Sequence, residues 1–147
     1  MTQKTYSEKW KDRFDFFERN GLPGSPGYRD AVKKLKFLQR PRYMYNFYAF
    51  FFGFIYFCIL GLWKKGLTLF VGIAVINLLI GVVEVMGDLN LDGVVRGVNL
   101  AYAAFCAMSV NSAYYLHTIK GVDSWNPFQG MSRKSSAELE KVPSRQY

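Results

Sequence analysis

The chain has 147 residues, is half hydrophobic with 18% aromatics, and carries a formal net charge of +8. That length argues for one domain. The positive excess would suit nucleic acid, but it borders apolar segments and no nucleic-acid reading motif accompanies it, so anionic lipid headgroups are its expected partner and nucleic acid is not.

Mean hydropathy near zero conceals a partition, because residues 1–43 are polar whereas residues 44–119 are largely uncharged. Leu67 to Val83 is seventeen residues without a charge, which is long enough for a membrane segment and unlike the alternation of a water-soluble domain. The expected class is an all-α integral membrane protein: a cytoplasmic helical hairpin, then a re-entrant or interfacial aromatic segment, then two transmembrane helices.

In chain order, residues 7–20 read as an amphipathic helix. Ser7 is its N-cap, Trp10, Phe14 and Phe17 share one face, and Asn20-Gly21 is the stop, with Pro23 confirming the break. A second helix starts at Ser25 with Pro26 in its first position and runs through about Leu38, with Tyr28, Val32 and Leu35 on one face. The two form a basic hairpin over residues 1–43. It is expected to close on itself or lie against the membrane, with Lys33, Lys34, Lys36, Arg40 and Arg42 toward headgroups; a solvated basic linker is the plainer reading.

The membrane domain is expected over residues 44–119. Residues 44–62 form its first segment and cover about 28 Å as a helix, barely the hydrocarbon thickness. Residues 67–86 and 94–119 form the second and third. Tyr43, Tyr45, Tyr48, Trp63, Tyr114, Tyr115 and Trp125 fall at segment ends, where an interfacial aromatic belt is expected. Residues 120–147 form a polar cytoplasmic tail, frayed from Ser132 onward. The charged N-terminal region does not resemble a cleaved leader, so the first membrane segment is expected to serve as an uncleaved signal.

Lysine and arginine bias sets the orientation. Residues 1–43 sum to +6, the Lys64-Lys65 turn to +2, the connection holding Glu84, Asp88, Asp92 and Arg96 to −2, and residues 120–147 to +2. Three crossings would put basic blocks on both sides of the membrane. If residues 44–62 instead dip in and return, with a break near Gly53, every basic block faces the cytoplasm and only the acidic loop faces out. That topology is the expectation, and it needs the two full spans to pack against the irregular segment.

Three stretches carry a family resemblance. They are AFFFGFIYFCILGLWKKGLTL at Ala49 to Leu69, RFDFFERNG at residues 13–21 and WNPFQG at residues 125–130. With these, the chain from about Ser7 to Gly130 resembles a bacterial family of small inner-membrane proteins classed as a domain of unknown function. Its signature is an aromatic run ending in glycine (Phe50, Phe51, Phe52, Gly53), then a Trp-basic-basic-small-Leu turn (Trp63, Lys64, Lys65, Gly66, Leu67). Many members have proline after that glycine, where this chain has Phe54. The resemblance implies a bacterial inner membrane and supplies no activity and no catalytic residues.

The acidic loop offers the sharpest local motif. Asp88, Asn90, Asp92 and Gly93 reproduce the start of a twelve-residue calcium loop. Asn99 stands at the twelfth position in place of a bidentate glutamate, so any calcium would bind weakly, at millimolar affinity at best. The alternative is an ordinary polar turn between two spans. Within the membrane segments, Asn77 and Glu84 share a face of the second span, and Asn99, Tyr102, Cys106 and Ser109 form a stripe on the third. These groups either join the two spans by interhelical hydrogen bonds, or, as Asn77, Glu84 and Asn111, form a contact surface for a foreign helix. Glu84 lies near the loop and is expected to reach the interface. Ala103 and Ala107 would permit a close helix crossing.

No catalytic residues are expected. His117 is the only histidine and sits at an interfacial helix end, Cys58 and Cys106 read as packing residues rather than a disulfide, and zinc ligation would need more donors than the chain has. No phosphate-binding glycine loop or nucleophile elbow occurs. The expected function is therefore non-enzymatic and cofactor-free: an accessory or regulatory protein that binds another membrane protein. The alternatives are an immunity protein against a membrane-targeting toxin and a small oligomeric channel or transporter subunit, the last offering few polar residues to line a path.

Overall fold

The computed structural model describes residues 5–145, and every regular element among them is helical. Helix α1 spans Glu8–Asn20 and α2 spans Pro26–Lys34. Ser25 caps α2 by accepting the Tyr28 amide at 3.2 Å, the contact expected of a serine before proline at N1. Helix α2 stops four residues short of Leu38. Leu35 turns extended, and the Arg40 guanidinium donates to the carbonyls of Lys33 and Leu35, satisfying the helix end from outside. A short helix, α3 (Arg40–Met44), leads into the apolar segments.

The hairpin is neither self-contained nor lying free. Phe14 and Phe17 are buried against Tyr114 and Tyr115, with ring centroids 5.7 and 5.3 Å apart for the Phe14–Tyr114 and Phe17–Tyr115 pairs. Tyr114 and Tyr115 are therefore core residues of the N-terminal contact, not belt residues. Both pairs are tilted, and ring pairs at such distances add specificity to the apolar burial.

Helix α4 (Phe47–Ile59) is two half-helices meeting at Gly53, whose φ of 45° and ψ of −121° are non-helical. Its path folds back. The Asn46 amide donates to the Ala107 carbonyl at 3.0 Å, Gly53 lies against Tyr102, and Gly61 lies near His117. The arms touch each other as well, with Tyr48 stacked on Tyr56 at 5.8 Å and Asn46 Nδ2 donating to the Tyr56 hydroxyl. Helix α5 (Trp63–Gly87) follows. At its foot Gly66 lets the second arm approach closely, since a Cβ there would stand 2.6 Å from that of Phe57.

Helix α6 (Asp92–Tyr115) runs antiparallel to α5 and continues through a π-helical turn at Leu116–Lys120. Nearly all its burial lies in the lower half, where Cys106, Ala107 and the run from Ser109 to Leu116 are covered by the N-terminal helices and α4. Helix α5 differs, with only Lys65, Gly66 and Ile73 buried along 25 residues. Both helices are long and apolar enough to cross a membrane.

The segment after Ser132 is ordered rather than frayed. Ser132 caps α7 (Arg133–Glu140), the Ser136 hydroxyl donates to the Gly130 carbonyl at 2.7 Å, and Glu140 accepts the Leu22 amide at 3.2 Å. Lys120 donates to the Val142 carbonyl and the Arg145 amide to that of Ile119. Polar composition conceals such a helix when part of its support comes from a distant backbone group, here the Leu22 amide.

Candidate functional site: the α5–α6 hairpin and its foot

The polar residues anticipated within the apolar segments are mostly engaged inside the chain. Asn77 Nδ2 donates to Asn99 Oδ1 at 3.0 Å, joining α5 to α6, while Asn77 Oδ1 has no hydrogen-bond partner. Glu84 accepts the Leu91 amide at 3.1 Å and so braces the connecting loop. Asn111 is 1% exposed. It accepts from Asn46 and donates to the carbonyls of Tyr43 and Tyr45. It therefore holds the entry of α4 and is not part of an outer surface.

The four residues expected around calcium are not brought together. Asp88 ends α5 in the left-handed conformation, and Asn90 accepts the Asp92 amide. Asn99 instead stays with Asn77, which stands about 16 Å of helix axis below Asp88. Among the described residues no three histidine, cysteine, aspartate or glutamate side chains gather as a metal set.

The break in α4 is matched to α6. Tyr102 packs against the break, since a Cβ on Gly53 would stand 3.2 Å from its hydroxyl. The predicted stripe on α6 thus serves both neighbours, Asn99 toward α5 and Tyr102 toward α4.

Sequence reasoning missed the foot of α5. Lys65 is 1% exposed and its ammonium has no hydrogen-bond partner. Beside it Lys64 holds Asp123 in an ion pair, and this bond keeps the Asp123 carboxyl below its ordinary range, with further help from His117 and Lys65. Two ammonium groups therefore share one carboxylate. The spacing offered a signal: Lys65, Thr68, Leu69, Gly72, Ile73 and Ile76 recur at three and four residues, one helix face.

That face, from Thr68 to Ile76, forms one wall of an apolar groove of 510 Å³ whose other wall is α6, from Val98 to Phe105. The WNPFQG stretch closes its lower end. Thr68 donates to the Trp125 carbonyl at 2.9 Å, Trp125 packs edge-on to Trp63 at 5.4 Å, and Phe128 packs edge-on to Phe105 at 5.8 Å.

The fold defines an all-helical protein with two candidate membrane-crossing helices standing on a helical, partly polar base. The chain belongs to the protein family of unknown function DUF2628, whose model matches residues 3–119. It is 40% identical over 127 residues to the uncharacterized protein YigF of Salmonella typhimurium, covering 82% of this chain and 90% of that one. It is 38% identical over 133 residues to YigF of Escherichia coli K12, covering 86% and 95%. No solved structure matches.

Proposed function

We propose that this protein is a non-enzymatic, multi-pass protein of the bacterial inner membrane that acts by binding another membrane protein. In this reading α5 and the upper half of α6 cross the bilayer, α4 dips in and returns, and the N-terminal helices and α7 lie in the cytoplasm. The observation that carries it is the exposure of α5: Val71, Val75, Leu78, Leu79, Val82 and Val83 are between 46% and 67% exposed. A soluble protein does not leave such a face to water. Phe47, Phe51, Phe52, Ile55 and Ile59 extend it along α4.

Partner binding is supported by the Asn77–Asn99 pair. Asn99 is exposed, so a side-chain amide is presented where hydrocarbon would surround it, and a foreign helix bearing a polar group would engage it. The membrane reading predicts that alkaline carbonate leaves the protein in the pellet; recovery in the supernatant would refute it. The binding reading predicts a protein that co-purifies in mild detergent and is lost with Asn99→Leu. A clean monomer, or retention by that variant, would count against this surface.

A further inference from the structure

We propose that a pocket between α2 and the lower half of α6 binds one anionic phospholipid of the cytoplasmic leaflet, with its phosphate on Arg29 and Lys33 and an acyl chain over Met44, Met108 and Met131. The pocket has a volume of 410 Å³, and both cations line it together with the three methionines and Val32. The proposal rests on the membrane reading above, which places this part of the base at the bilayer surface.

The walls are held by bonds between distant parts of the chain. The Gly24 amide donates to the Gly130 carbonyl at 2.7 Å, which fixes the turn before α2 beside Met131. The Tyr28 hydroxyl donates to the Tyr43 carbonyl at 3.4 Å, which fixes α2 beside Met44. Because the Asn46 amide meets the Ala107 carbonyl, Met44 and Met108 stand together where the chain enters α4. In the membrane reading that is the level at which headgroups give way to hydrocarbon.

Charge and exposure select the occupant. Lys33 reaches only Asp30, at 4.0 Å with both side chains exposed, a contact worth little in water. Among the described residues no carboxylate pairs with Arg29, and Arg40 adds a third cation beside them through its 3.0 Å bond to the Lys33 carbonyl. The chain leaves the pocket at Lys33 and returns at Met44. The turn between them carries Phe37 and Leu38, 78% and 88% exposed, next to Lys34 and Lys36. Large apolar side chains flanked by lysine suit a segment seated in an anionic leaflet. Methionine, unbranched and flexible, suits an acyl chain of no fixed shape. A free anion would leave the apolar floor uncovered, and a plain hydrocarbon would leave the cations unmatched.

The test uses the full chain in detergent, delipidated, with bound lipid read by native mass spectrometry. Phosphatidylglycerol should bind one to one, whereas diacylglycerol and glycerol phosphate at the same concentration should not. The double variant Arg29→Gln, Lys33→Gln should weaken phosphatidylglycerol by about ten- to a hundredfold, the range for two basic contacts to an anionic lipid. Lys9→Gln with Lys11→Gln removes the same charge from α1, outside the pocket, and should leave binding unchanged. Met108→Trp fills the pocket with the cations intact and should abolish retention; Met131→Trp does the same from the opposite wall, so misfolding of one leaves the other to decide. Wild-type affinity in the Arg29, Lys33 variant or in a folded tryptophan variant overturns the proposal. So does an equal loss in the α1 variant, which would mean attraction by overall charge, or diacylglycerol binding as tightly as phosphatidylglycerol. Saturation by glycerol phosphate alone would leave an anion site without a chain, and a dimer dispersed by Met108→Trp would assign the pocket to a second copy; both overturn it. Failure of the membrane reading is separately visible, because wild-type protein would then be recovered without detergent.

Discussion

At Gly53 the backbone adopts φ 45° and ψ −121°, a conformation that a side chain strains, and a Cβ there would stand 3.2 Å from the Tyr102 hydroxyl. Gly53→Ala is therefore expected to cost about 1–3 kcal/mol, seen as a lower melting temperature in detergent; an unchanged melt would mean that the chain does not bend there.

Asp123 allows a pH test at the same scale. Its carboxyl is held below the ordinary 3.8, first by the hydrogen bond from Lys64. A depressed folded-state value means that the ion pair stabilises fully above the unfolded pKa and loses that contribution as pH falls from about 4 through the lower folded value. Because Asp123 is largely exposed, the effect is small, at most about 1 kcal/mol. Asp123→Asn should lower the melting temperature slightly at pH 6, and by progressively less as pH falls below about 4. A difference that does not shrink at all over that fall would show that the contact is not electrostatic.

Among the elements, α4 depends most on its neighbours. Asn46 accepts the amides of Tyr48 and Ala49, donates to Asn111 and sends its backbone amide to Ala107. Asn46→Ala removes both the cap and a buried partner of Asn111, so a loss of roughly 1–3 kcal/mol is expected in denaturant unfolding. A loss below about 0.5 kcal/mol would show that the entry of α4 is held by apolar packing alone. The break at Gly53 was legible in sequence because glycine interrupts an aromatic run. The cap was not, because an asparagine before such a run reads equally as a turn residue. Helix α7 was illegible for the converse reason: its few apolar residues signal no helix, and part of its support lies over a hundred residues away at Leu22.

At the scale of the whole molecule the ends sort as the charge bias requires. Lys64 and Glu140 both lie at the base, through Asp123 and Leu22, whereas Asn90 stands beyond the top of α5, about 36 Å away along its axis. Single cysteines placed at 64, 90 and 140 in a Cys58→Ala background should therefore differ in intact cells, with position 90 alone labelled by an impermeant reagent. Labelling at 64 or 140 from outside would reverse or break the proposed topology.

The sequence by itself determined where the long apolar helices lie, where the first apolar segment breaks and which ends are basic, because periodicity, glycine and charge are local properties. Only the tertiary structure decided what covers each apolar surface. Hydropathy records how poorly a segment sits in water, not what covers it: the lower half of α6 is buried under Phe14 and Phe17, whereas α5, the more apolar helix, is left open to its surroundings. The same reason hid the difference between Asn111, which is sealed inside, and Asn99, which is exposed, and it hid the closure of protein around Lys65. What a side chain faces depends on which distant residues fold over it, and no local pattern carries that.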